Sequence, residues 1–141
     1  MTSEPSSAAK RIASKKKLSF SERNRQRCEA KNGFNHSLNS WSLSDWMTAT
    51  AGELGEAANV IKKLNRVRDG IPGNKETSDE LRAQLADEIA DIAIYLDLLA
   101  QAAGFNLETI RDAKFSKTSA KIDYKEKDVA QKYKRGEGKQ P

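Results

Sequence analysis

Residues 43–64, LSDWMTATAGELGEAANVIKKL, and residues 85–100, LADEIADIAIYLDLLA, each set acids inside an apolar, helix-periodic run. The acids form two pairs, Glu53-x-x-Glu56 and Glu88-x-x-Asp91. Side chains three residues apart share a face of a helix, so each pair directs two carboxylates the same way. An unpaired negative charge in an apolar setting costs far more than it returns. Four acids gathered between two such helices repel one another unless cations join them. Hard divalent ions, Mg²⁺ or Mn²⁺, take oxygen ligands and bridge readily to phosphates, which makes them the natural partners. Gly52, Gly55 and the alanines beside the first pair predict a tightly packed helix rather than a charged surface.

The rest of the composition sets bounds. The chain has 141 residues, enough for one domain with a core of its own. Only 37% of residues are apolar and 32% are charged, which suits a slim helical protein or an oligomer. The net charge of +5 is unevenly placed: positions 1–20 hold five basic residues and one acid, and positions 121–141 seven basic residues and four acids. The body between them is therefore mildly acidic, which weakens a nucleic-acid reading, since that wants a basic face on the folded domain. The lone Cys28 has no partner for an internal disulfide, and a reducing cytoplasm is the expected compartment. No apolar run approaches the ~18 residues of a membrane span.

The spacing predicts an all-α fold. Residues 1–18 are polar and aperiodic and are expected to form a disordered basic tail. Ser19-Phe20-Ser21-Glu22 has the form of a capping box that opens a helix running to about Gly33. FNHSLNSWS, residues 34–42, reads as loop. Ser42-Leu43-Ser44-Asp45 opens a second helix, along which Trp46, Ala49, Leu54, Ala57, Ile61 and Leu64 recur at helical intervals. DGIPGNKETS, residues 69–78, breaks the chain. Thr77-Ser78-Asp79-Glu80 caps a third helix ending at Gly104, and Asn106 opens a fourth that ends near Ser119. The folded domain is expected at 19–121, with a second charged tail at 122–141.

Other residues have plainer readings. His36 is the only histidine, which excludes a histidine metal cluster and a Ser-His-Asp triad; in a loop it is a solvated polar group or a neighbour of a base or phosphate. Cys28 reads as an ordinary helical residue and Trp46 as core. Trp41 precedes a helix in a loop, where an aromatic can stack on a base or pack in the core. Lys63 follows Glu56 by two turns and Tyr95 follows Asp91 by one, and a lysine and a phenol beside a metal cluster suit an anionic ligand with an aromatic part.

The two acid pairs, with WMTATAGELGEAANVIKKL and LADEIADIAIYL around them, resemble the MazG-like, all-α nucleoside triphosphate pyrophosphohydrolases. That superfamily includes dimeric dUTPases, dCTP pyrophosphatases and phosphoribosyl-ATP pyrophosphatases. The resemblance spans about residues 20–120; its departure is the gap between the pairs, 31 residues, taken up by the loop RVRDGIPGNKETSD. It implies a four-helix bundle completed by oligomerisation as a dimer or tetramer, in the cytoplasm of a bacterium or a phage-infected host. It implies hydrolysis of nucleoside triphosphates to monophosphate and pyrophosphate, with dNTPs and among them purines (dGTP, dATP) favoured, in nucleotide-pool control. Glu53, Glu56, Glu88 and Asp91 would hold two or more Mg²⁺ or Mn²⁺ ions, with Glu56 a candidate to orient the attacking water. Tyr95 matches a tyrosine that follows the second motif in dCTP-hydrolysing relatives. Lys63 matches a nucleotide-facing position, Trp41 a base-stacking segment, and Lys114 a fourth-helix lysine that reaches the phosphates, with Lys117 and Lys121 as poorer candidates.

Two readings of other classes stand beside it. A non-catalytic di-metal bundle of the ferritin-like kind wants Glu-x-x-His motifs, and His36 lies in neither acid-bearing helix. A nucleic-acid-binding or regulatory module would use the basic tails instead.

Overall fold

The computed structural model describes residues 17–125. The tails expected at 1–18 and 122–141 therefore lie almost wholly outside the described residues. Among the described residues there are four α-helices and no strand: α1, Phe20–Glu29; α2, Leu43–Arg68; α3, Ser78–Ala102; and α4, Leu107–Lys121, with a 3-10 turn at Leu38–Ser40. None of these helices is long and apolar enough to cross a membrane.

Each of the first three helices starts where its local chemistry dictates. Ser19, Ser42 and Thr77 accept from the backbone N–H three residues on, and Glu22, Asp45 and Glu80 reach back to the cap N–H, forming three capping boxes. The ends of α2 and α3 are made by Gly70 and Gly104, whose φ values of 66° and 81° only glycine adopts without strain. Beyond them Ile71 N–H donates to the Arg66 carbonyl and Phe105 N–H to that of Ala100, the closing bonds of two Schellman motifs. The first helix stops earlier than its sequence suggests, at Glu29, and the chain turns through residues 30–35 instead of continuing to Gly33.

Residues up to Asn106 form one compact unit, and those from Leu107 form another. In the first, α2 and α3 pack against each other, and α1 and the 3-10 turn pack on α3. The core gathers Cys28, Leu38, Trp46 and Leu98, with Tyr95, Leu99 and Ala102 packed against it. Trp46 is buried as expected and donates its indole N–H to the Leu38 carbonyl at 3.1 Å. Cys28 is not an ordinary helical residue: it is buried in this core, and burial pushes its thiol up. In the second unit α4 has no buried residue, and Lys114, Lys117 and Lys121 are all exposed along it.

The periodic residues of α2 split between two faces. Trp46, Ala57 and Val60 turn inward, whereas Leu54 and Ile61, members of the same periodic series, are 59% and 45% exposed. Met47, Ala51, Leu54, Ala58 and Ile61 form an outward strip, and Ala86, Ile89, Ala93 and Leu96 form a second on α3. Both strips follow alternating steps of three and four residues, the spacing of a helix-packing seam. The expectation of tight packing at Gly52 and Gly55 fails: a Cβ at either would meet nothing within 4 Å.

Candidate functional site

The acid pairs are brought together by the packing of α2 on α3. Carboxylate oxygens of Glu53, Glu56 and Glu88 lie within 4.8 Å of one another. Asp91 is close enough for its charge to act on both Glu53 and Glu88. The cluster is not in the core: Glu53, Glu88 and Asp91 are half-buried at its edge and Glu56 is exposed. Partial burial, then the neighbouring carboxylates, hold the carboxyls of Glu53 and Glu88 above the usual carboxylate range. None of the four makes an ion pair or hydrogen bond with another described residue.

Beside the cluster a cavity of about 420 Å³ opens between α1, the loop after it, α2 and α3. Glu53 and Asp91 border it at the acid end, and Trp41, His36 and Tyr95 supply aromatic wall. The His36 ring meets Trp41 edge-on at 4.5 Å, and Trp41 stands 4.7 Å from Trp46. His36 Nδ1 lies 3.0 Å from the Ser37 carbonyl oxygen and 3.1 Å from Ser40 Oγ. Tyr95 is half-buried, and burial followed by the charges of Glu53 and Asp91 raises its phenol, so it is a neutral hydroxyl. A pocket of this size with aromatic walls and a few polar groups matches a small organic ligand.

Of the residues singled out from sequence, Glu53, Glu56 and Glu88 converge, with Asp91 beside them, and Trp41 and Tyr95 share a cavity with Glu53 and Asp91. The Lys63 ammonium pairs with Glu76 in the loop between α2 and α3 and holds that carboxyl below its ordinary range. Lys114 belongs to α4 in the second unit.

The cavity also takes residues the sequence did not mark, Asn24 and Arg27 of α1 and Phe34 of the following loop. The one available signal was Asn24 and Cys28, four residues apart and both buried on α1. Nothing in the sequence indicated that this face meets the acid-bearing helices. No protein-family model matches the chain, and no curated protein or solved structure does either.

Proposed function

We propose that this protein hydrolyses nucleoside triphosphates to the monophosphate and pyrophosphate with the help of divalent cations. The supporting observation is the pairing of two features along one edge. Four carboxylates without a cationic partner stand next to a cavity with aromatic walls sized for a nucleoside. The donor set fits Mg²⁺ or Mn²⁺: all-oxygen, anionic, converging from two helices and left repelling without a counter-charge. Glu53, Glu56, Glu88 and Asp91 would hold two or more ions, which when bound neutralise polyphosphate charge and make a water acidic enough to attack.

The chain's own residues do the remainder. Trp41 and Tyr95 pack on the base and sugar in the cavity, which directs the phosphates toward Glu53 and Asp91. Glu56, the most exposed of the acids, orients the attacking water, and its carboxylate accepts the proton that the water gives up. Deoxynucleotides with a purine base are the favoured substrates, and control of the nucleotide pool in the cytoplasm is the role. The outward apolar strips on α2 and α3 support assembly with further copies into a dimer or tetramer, the bundle being completed between copies.

Product analysis with the four dNTPs and GTP, in Mg²⁺, Mn²⁺ or EDTA, tests the reading. Monophosphate and pyrophosphate that vanish with EDTA support it. Diphosphate and orthophosphate would mean a different bond is cut, and no turnover of any of the five would remove the hydrolase assignment.

A further inference from the structure

On the α1 wall of the cavity stands a guanidinium whose position is fixed from behind. Arg27 and Asn24 both line the cavity, one turn apart on α1. The Asn24 amide nitrogen donates to Asp97 Oδ2 at 2.9 Å and to the Ile94 carbonyl at 3.0 Å. A side-chain amide has two N–H donors, so both are spent on α3 and the Oδ1 atom must face the other way. There it accepts from Arg27 Nη2 at 3.4 Å.

Asp97 holds this arrangement in one orientation. It is 1% exposed, and its oxygens accept from Ser21 Oγ, from Asn24 and from Gln101 Nε2. The Ile94 carbonyl can only accept, so the Asn24 amide cannot flip without setting oxygen against oxygen. On its other side the guanidinium lies over the Phe34 ring, 5.4 Å from the centroid. No acidic side chain pairs with Arg27 among the described residues. A planar, oriented, donor-only group thus faces the cavity with most of its five N–H bonds unspent.

We propose that Arg27, positioned by Asn24 and through it by Asp97, reads the O6/N7 edge of a guanine base in this cavity. Guanine offers two adjacent acceptors there, which a guanidinium meets with two parallel donors. Adenine offers N7 beside an amino group, which sets donor against donor. On the corresponding edge a pyrimidine offers at most one acceptor. The inference rests on the nucleotide reading above and narrows it to guanine nucleotides; Arg27 contacts the base, and Asp97 is a positioning residue.

The test is an equilibrium titration of the full chain with dGMP and with dAMP in EDTA. It is read by the fluorescence of Trp41 and Trp46, which line the cavity. The wild-type protein is expected to bind dGMP at least about fivefold more tightly than dAMP. Arg27→Gln, at an exposed position where folding is not at stake, and Asp97→Asn should each bring the ratio toward one. Equal affinities in the wild type overturn the proposal. So does a parallel loss for both nucleotides in Arg27→Gln, the mark of a phosphate contact. An Asp97→Asn protein that is less stable but keeps the ratio overturns the positioning role. Neither metal nor hydrolysis enters the titration. Selective dGMP binding without triphosphate turnover would therefore sink the hydrolase reading and leave the base assignment standing. Turnover without selectivity would do the reverse.

Discussion

Helix α3 holds carboxylates in two opposite conditions. Asp97 is fully enclosed, yet hydrogen bonds from Ser21, Asn24 and Gln101 saturate it, and it fastens α1 to α3. Glu88 and Asp91, two turns earlier on the same helix, are only half-buried but face Glu53 and Glu56 with no donor or cation to offset them. The deeper carboxylate is the settled one. Burial alone therefore does not decide how uneasy a carboxylate is; repulsion the fold leaves uncompensated does. Glu76 is a third case, exposed to solvent on one side and matched by the ammonium of Lys63.

Substitutions should separate these conditions, the largest effect first. On the proposed hydrolase reading, Glu56→Gln or Glu88→Gln should lower turnover of the preferred dNTP by about 100-fold or more, because each removes charge that would hold metal. Steady-state rates at saturating Mg²⁺ check this, and near-normal rates would detach the cluster from the chemistry. Asp97→Ala leaves buried donors without an acceptor and should cost on the order of 3 kcal/mol of stability, seen as a lower urea midpoint. If the cost were a few tenths, the contrast drawn above would fail.

The cluster should also set the pH response of the metal-free protein. The carboxyls of Glu53 and Glu88 are held above their ordinary range, so the folded state keeps protons that the unfolded chain has already released. Their contribution is least unfavourable at low pH, and it grows more unfavourable as pH rises from the ordinary glutamate range through the raised values. The melting temperature of the EDTA-treated protein should fall across that interval, and Glu88→Gln should flatten the fall. Millimolar Mg²⁺ or Mn²⁺ should restore the melting temperature above it, and a melting curve indifferent to metal would count against the cluster as a cation site. Tyr95→Ala should raise KM for the nucleotide more than it changes kcat; an unchanged KM would take Tyr95 out of the binding wall. Glu76→Gln should matter least, leaving the melting temperature nearly unchanged, since the pair it breaks is partly exposed. With the Glu76 carboxyl lowered by Lys63, that small contribution is present above the ordinary glutamate range and disappears as pH falls through the lowered value.

Much of this was legible locally. Capping boxes at Ser19, Ser42 and Thr77 and the stops at Gly70 and Gly104 depend on neighbours within a few residues, so sequence spacing suffices to find them. The convergence of Glu53, Glu56 and Glu88 was legible because two periodic helices joined by a short loop must pack on each other. Periodicity could not say which way Leu54 and Ile61 face: α2 is apolar on two sides, and an amphipathic pattern has one answer only when one side is polar. The pairing of Lys63 with Glu76 was not legible, because a lysine is long enough to reach a loop acid whose position spacing does not fix. The tie between Asn24 and Asp97 joins residues 73 apart, a distance at which neither residue's surroundings betray the other.

The backbone of the loop between α1 and α2 is held by its flanking helices. His36 gives its N–H to the Cys28 carbonyl and receives the Cys28 thiol on its own, while Leu38 gives its N–H to Glu29 and receives the Trp46 indole. Both backbone groups of two alternate residues are thus occupied by partners on fixed helices. Exposed positions such as Lys31, Asn32 and Asn39 are therefore free to vary in identity. The count of residues is not, because removing or adding one would shift His36 and Leu38 out of register with all four partners at once. In a protein-engineering library this segment is one to diversify by substitution and never by length.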